Sequence, residues 1–155
     1  MTYEELLDEI NDHNVDVYEM TFKGTGKAYY LDNTIILNNK LSSKSEVKCT
    51  LAEELAHHLK TNGEILDPKS ISSIKQEIIA RRWAYQKLVG LSDIIQAYKI
   101  GINNKYELSN YLEVTPDFLN EALNFYKDKY GLFYKIDNYI IQFDPLGIIE
   151  KFQDF

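Results

Sequence analysis

The chain has 155 residues, 45% of them hydrophobic and 26% charged, a balance that excludes a disordered or fibrous polypeptide and predicts one globular domain. The single cysteine, Cys49, rules out an intramolecular disulfide; no basic-then-apolar leader opens the chain, and no apolar run reaches the roughly 18 residues of a membrane span, so the expected setting is a reducing cytoplasm without a membrane. The net charge is −7, and residues 1–19 carry Glu4, Glu5, Asp8, Glu9, Asp12, Asp16 and Glu19 with no lysine or arginine, a face that repels phosphate backbones and argues against direct nucleic-acid binding.

In chain order, Tyr3, Leu6, Leu7 and Ile10 recur at helical spacing, and Thr2 stands three residues before Glu5 as in a capping box, which predicts a first helix over 2–13. Runs rich in β-formers follow at 15–22, 28–31 and 34–37, broken by Lys23-Gly24-Thr25-Gly26 and by Asp32-Asn33, and predict a small antiparallel meander. A second helix is expected from Ser43, whose hydroxyl can cap it while Glu46 closes the box, to Asn62-Gly63, where glycine tolerates a left-handed conformation. After Asp67-Pro68 a third helix is expected from Ser70 to Val89, with Ile71, Ile74, Ile78 and Leu88 as its apolar stripe and Gly90 as its stop. Residues 91–129 read as two or three shorter helices, the last opened by Thr115 as cap and Pro116 at the first helical position. Residues 132–136 and 139–143 alternate as a hairpin turning at Asp137-Asn138. The expected class is α+β: a core over 1–90, with a helical subdomain and closing hairpin over 91–155 packed on it as one unit.

The chemistry-bearing residues concentrate in Glu53-Glu54-Leu55-Ala56-His57-His58. Positions four apart share a helix face, so Glu53 and His57 point into one space with Glu54 beside them. A hydrolytic zinc site needs three protein ligands, an open position for water and a carboxylate to take the water's proton, and HExxH supplies two ligands and the base from one helical turn. Here that register reads EELAH, with Glu53 at the first histidine. The wheel sets Glu53 and His57 opposite the Leu51, Ala52, Leu55, Ala56 and Leu59 arc, which suits a cleft and suits plain solvent equally. A register in which Glu54 and His58 are the ligands also satisfies the spacing, at the cost of Glu54 as base. Glu77 and Arg81 form an i,i+4 pair of the kind common on helix surfaces, His13 reads as a helix-end residue, Trp83 as core, and Cys49 as a small buried residue. Residues 105–130 resemble a helix-turn-helix, yet the last helix sets Asp117, Glu121 and Asp128 against Lys127 and Lys129, poor electrostatics for DNA.

The segment Thr50-Leu51-Ala52-Glu53-Glu54-Leu55-Ala56-His57 resembles the active-site helix of the ImmA/IrrE metallopeptidase family, in which an HExxH helix is followed by a second helix of the form E-x-x-A-x-x-F-A-x-x-L-L. That second motif reads here Glu77-Ile78-Ile79-Ala80-Arg81-Arg82-Trp83-Ala84-Tyr85-Gln86-Lys87-Leu88, with Trp83 for Phe. Two separated motifs in the right order are more specific than either alone, and the likeness extends to the short, phage-associated branch in which Glu-Glu replaces His-Glu. The resemblance implies zincin-like site helices beside the small sheet, Glu53, His57 and Glu77 as metal ligands, Glu54 as general base, and zinc as cofactor. It implies an endopeptidase that cleaves or inactivates a helix-turn-helix repressor of a phage or mobile element, an encounter the acidic surface would favour. A Glu/His/Glu set adds negative charge that offsets the ion's, so a bound water is less acidified, and it suits the harder Mn²⁺ as well as zinc. The alternative reading is a degenerate peptidase fold acting as a non-enzymatic antirepressor.

Overall fold

The computed structural model describes residues 1–60 and 71–151. Helix α1 (Tyr3–Asp12) opens on the expected capping box: the Thr2 hydroxyl accepts from the Glu5 amide and the Glu5 carboxylate accepts from the Thr2 amide. Strands β1 (Asp16–Met20), β2 (Ala28–Leu31) and β3 (Thr34–Asn38) make the first sheet. Next come α2 (Lys44–Lys60), α3 (Ile71–Leu88), α4 (Leu91–Lys99), α5 (Lys105–Leu112) and α6 (Pro116–Tyr130), and the chain closes with β4 (Phe133–Ile136), β5 (Tyr139–Phe143) and β6 (Leu146–Glu150). The class is α+β, as expected. The helix stop at Asn62-Gly63, the Asp67-Pro68 turn and the Ser70 start lie outside the described residues.

The first sheet differs from a simple meander. Its order is β1-β3-β2, with β1 parallel to β3 and β2 antiparallel to β3. The apolar run Ile35-Ile36-Leu37 takes the interior position, with Ile35 and Leu37 buried, while β1 and β2 are mostly exposed edges. The path from β1 to β3 passes through β2 and is long enough for a parallel pairing. The hairpin between β2 and β3 uses Asp32 and Asn33 at φ 48° and 57°, the positive-φ pair of a two-residue turn whose twist matches the strands. At the other end of the chain the expected hairpin is present and gains a third strand, giving β4-β5-β6, all antiparallel. This second sheet packs on α6, with the Tyr126 and Phe143 rings stacked 5.7 Å apart.

Helices α2 and α3 lie against each other at the centre. Both helices bury small side chains, Ala52 and Ala56 on α2 and Ala80 and Ala84 on α3, all fully buried, and small side chains let two helix backbones approach closely. The expected stripe of α3 is therefore corrected. Ile74 and Ile78 are exposed by 49% and 43%, and the packed face instead runs through Ala80, Ala84 and Leu88. Helix α2 is buried along much of its length between Lys48 and Ala56, so Glu53 and His57 face a neighbouring helix rather than open water.

Candidate metal centre

The start of α2 is set by serines. The Ser43 hydroxyl accepts from the Glu46 amide at 3.1 Å as expected, but the Glu46 carboxylate reaches past it to Ser42, accepting from that residue's amide at 3.1 Å and hydroxyl at 2.6 Å. This anchors the N-terminal turn of the helix that carries Glu53, Glu54, His57 and His58.

His57 and Glu77 are brought together from the two helices: Nε2 of His57 lies 3.2 Å from Oε1 of Glu77. The imidazole is only 12% exposed and the carboxylate 46%, so the pair sits at the rim of the helix interface. The sequence alternative, a Glu77 side chain committed to Arg81 on its own helix, gives way to this interhelical contact. Two donors bound to one tetrahedral ion at about 2.0 to 2.1 Å stand about 3.3 Å apart, and imidazole nitrogen with carboxylate oxygen is ordinary zinc chemistry; the pair fits an ion on both counts. Among the described residues, however, no group of three or more His, Cys, Asp or Glu side chains is gathered to hold a metal.

Glu53 lies one turn back along α2. It lines a cavity of about 250 Å³ with Arg81, Lys27, Thr50, Asp117 and Glu121 among others. Burial raises its pKa, the charges of Arg81 and Lys27 oppose that rise, and Glu121 and Glu77 add to it. Glu54 is pushed up to about 7, first by burial and then by the negative charges of Glu53 and Glu77. A carboxyl so placed is desolvated beside two other acids, an arrangement found where proton transfer is done.

His58 turns toward the first sheet instead. Its Nδ1 lies 2.6 Å from the Tyr30 hydroxyl on β2, and its ring stands 6.3 Å from that of His13, the C-cap of α1. His58 is thus engaged by the sheet while His57 meets Glu77, and the register using Glu54 and His58 as ligands finds no support in this placement. Cys49 is buried, its thiol pushed up to about 11 mainly by burial.

Residues that spacing alone did not bring forward line the surroundings. The Tyr85 hydroxyl donates to Glu121 at 2.9 Å, and burial together with that carboxylate raises its pKa. A groove of about 620 Å³ runs between α3 and α6, lined by Ile78, Arg81, Arg82, Tyr85, Glu121 and Phe125 among others. It shares Arg81 and Glu121 with the cavity that Glu53 lines. Helical spacing paired Arg81 with Glu77 on its own helix; that Arg81 also lines the cavity of Glu53 is set by how α3 packs on α2.

No described helix is long and apolar enough to cross a membrane. No curated protein and no solved structure matches the chain. The model of the IrrE N-terminal-like domain, the peptidase M78 family, matches residues 10–124, a span that takes in the first sheet, both central helices and the interhelical His57–Glu77 contact. On that match the chain belongs to the peptidase M78 family.

Proposed function

We propose that the protein is a metal-dependent endopeptidase that inactivates a helix-turn-helix repressor of a phage or mobile element by cutting it. The single observation that carries this is the 3.2 Å approach of His57 Nε2 to Glu77 Oε1 across two packed helices, within a chain of a peptidase family. His57 and Glu77 would hold the ion, zinc or the harder manganese, with Glu53 as the third donor. When bound, the ion polarises a scissile carbonyl and acidifies a water. Glu54 would take a proton from the attacking water as its oxygen bonds to the scissile carbonyl carbon, and would return it to the amine nitrogen as the C–N bond breaks. The groove between α3 and α6 takes the polypeptide, with Arg81 and Arg82 as donors to its carbonyls. The net charge of −7 favours encounter with a basic DNA-binding partner and disfavours DNA itself.

The test is metal content followed by cleavage. Purified protein is expected to retain close to one equivalent of zinc, lost in His57→Ala, and to cut a helix-turn-helix repressor at a defined bond, a cut abolished by chelator and by Glu54→Gln. A protein that binds no divalent ion yet still neutralises the repressor is the non-enzymatic antirepressor instead.

A further inference from the structure

The groove between α3 and α6 carries a charge balance opposite to that of the whole chain. The net charge is −7, yet Arg81, Arg82 and Lys129 line the groove against Glu121 and Asp128, and Glu121 already accepts the Tyr85 hydroxyl at 2.9 Å. Arg82 and Lys129 stand over one ring, that of Phe125, the guanidinium 5.8 Å and the ammonium 5.7 Å from its centroid. Neither makes an ion pair with a carboxylate among the described residues. A ring face attracts a cation through its quadrupole without using up the cation's N–H donors. The apolar wall is open as well: Ile78 lines the groove and is 43% exposed, and Ile74, one turn earlier on α3, is 49% exposed. Tyr85, on the same stripe of α3, packs on Phe118 and Phe125 of α6, whereas toward Ile78 and Ile74 the stripe lies bare, as binding surfaces do.

We propose that this groove selects an acidic segment of the substrate polypeptide: its carboxylates meet Arg82 and Lys129, and its apolar side chains lie on Phe125, Ile78 and Ile74. This rests on the reading that the polypeptide occupies the groove and adds the chemistry of the segment taken. A guanidinium is planar and always charged, and it grips a carboxylate through two parallel N–H donors while others remain for a backbone carbonyl. Arg82 is therefore the specificity-determining residue and Lys129 the supporting charge. The overall charge of the chain attracts a basic partner at long range, whereas the groove selects acidic residues at contact. A DNA-binding partner is accordingly held by a part other than its basic face.

The experiment is fluorescence anisotropy in chelator, so that binding is read without cleavage. Its probes are three fluorescein-labelled peptides that share one frame of leucine and phenylalanine and carry glutamate, glutamine or lysine at the positions between. The glutamate peptide is expected to bind about tenfold more tightly than the glutamine peptide, and more tightly still than the lysine one, with an affinity that falls as salt is raised. Arg82→Gln and Lys129→Gln are each expected to weaken glutamate-peptide binding by about threefold to tenfold and to leave the glutamine peptide unchanged. Arg82→Lys, which keeps the charge without the planar fork, falls between wild type and Arg82→Gln. Lys23→Gln, on the loop before β2, is the control and should change neither. Equal affinity for the glutamate and glutamine peptides overturns the proposal, as does tighter binding of the lysine peptide. A glutamate affinity untouched by both groove substitutions, or reduced as much by Lys23→Gln, overturns it too. Absence of binding by all three peptides removes the groove as the polypeptide site and the acidic selection with it; a repressor still cut at a defined bond by the same protein then shows that the metal-dependent reading stands without them.

Discussion

The Tyr30 hydroxyl lies 2.6 Å from Nδ1 of His58, which separates the roles of two histidines that are neighbours in sequence. One full residue step turns a helical side chain by about 100°, enough to send His57 toward α3 and His58 toward β2. His57→Ala is therefore expected to abolish metal retention and cleavage. His58→Ala is expected to keep the metal and to cost about 0.5–1.5 kcal/mol of stability through the lost hydrogen bond. Metal content of the two variants, measured side by side with their urea midpoints, checks this; metal loss in His58→Ala at unchanged stability would contradict it.

Glu54 carries a pH signature in the metal-free protein. Its pKa is raised from 4.5 to about 7 in the fold, so folding favours the protonated carboxyl. The stabilisation is fully present below the unfolded value and is lost as pH rises through the folded one. Glu54→Gln removes this dependence. In chelator, the Tm of Glu54→Gln is expected to exceed that of wild type above about pH 7, with the gap closing toward the unfolded value of 4.5. A gap independent of pH would show that Glu54 is not the group responsible.

The close approach of α2 and α3 depends on side chains too small to separate them. Ala84 is fully buried, and Ala84→Leu forces in three extra carbons. Overpacking of this kind costs about 1–3 kcal/mol, and here it pushes apart the helices that bring His57 to Glu77. The expected outcome is a folded protein with a lowered urea midpoint and at least a tenfold loss in metal affinity, about 1.4 kcal/mol. Ile78→Leu on the exposed face of the same helix is the control and should change neither.

Lys48 is 1% exposed, and its ammonium donates to the Leu112 carbonyl at the end of α5 at 2.7 Å, with Glu113 at 3.7 Å. This tie joins the site helix to the helical segment behind it. Lys48→Ala removes the buried stem and leaves the carbonyl without its donor, at an expected cost of about 2–4 kcal/mol. Lys48→Met, which keeps the stem, should cost less, about 1–2 kcal/mol. Urea midpoints of the two variants check this, and equal losses would assign the whole effect to the polar tie.

Local signals were legible wherever they act over a few residues. Thr2 with Glu5, Thr115 with Pro116, and Asp32-Asn33 each satisfy backbone groups within their own turn, and each element they bound is present. The third strand of the C-terminal sheet and the parallel pairing of β1 were not legible, because strand order depends on which run is apolar enough to occupy the middle and on how far the connection reaches. The exposed Ile74 and Ile78 show the same limit on α3. A stripe of isoleucines at helical spacing promises a packed face, yet the neighbouring helix selects the alanines because they admit a shorter distance.

Sequence by itself determined the candidates: two motifs in order, Glu-Glu-x-x-His and Glu77 followed by Ala80 and Ala84, single out Glu53, Glu54, His57 and Glu77 whatever the chain's path. Tertiary structure alone decided which of those groups meet. His57 finds Glu77 across an interface, His58 is drawn to Tyr30, and Glu53 shares its cavity with Arg81. Spacing along one helix fixes a side chain's direction, whereas its partner is set by the distance and register of a second helix, and those follow from how the alanines between them pack.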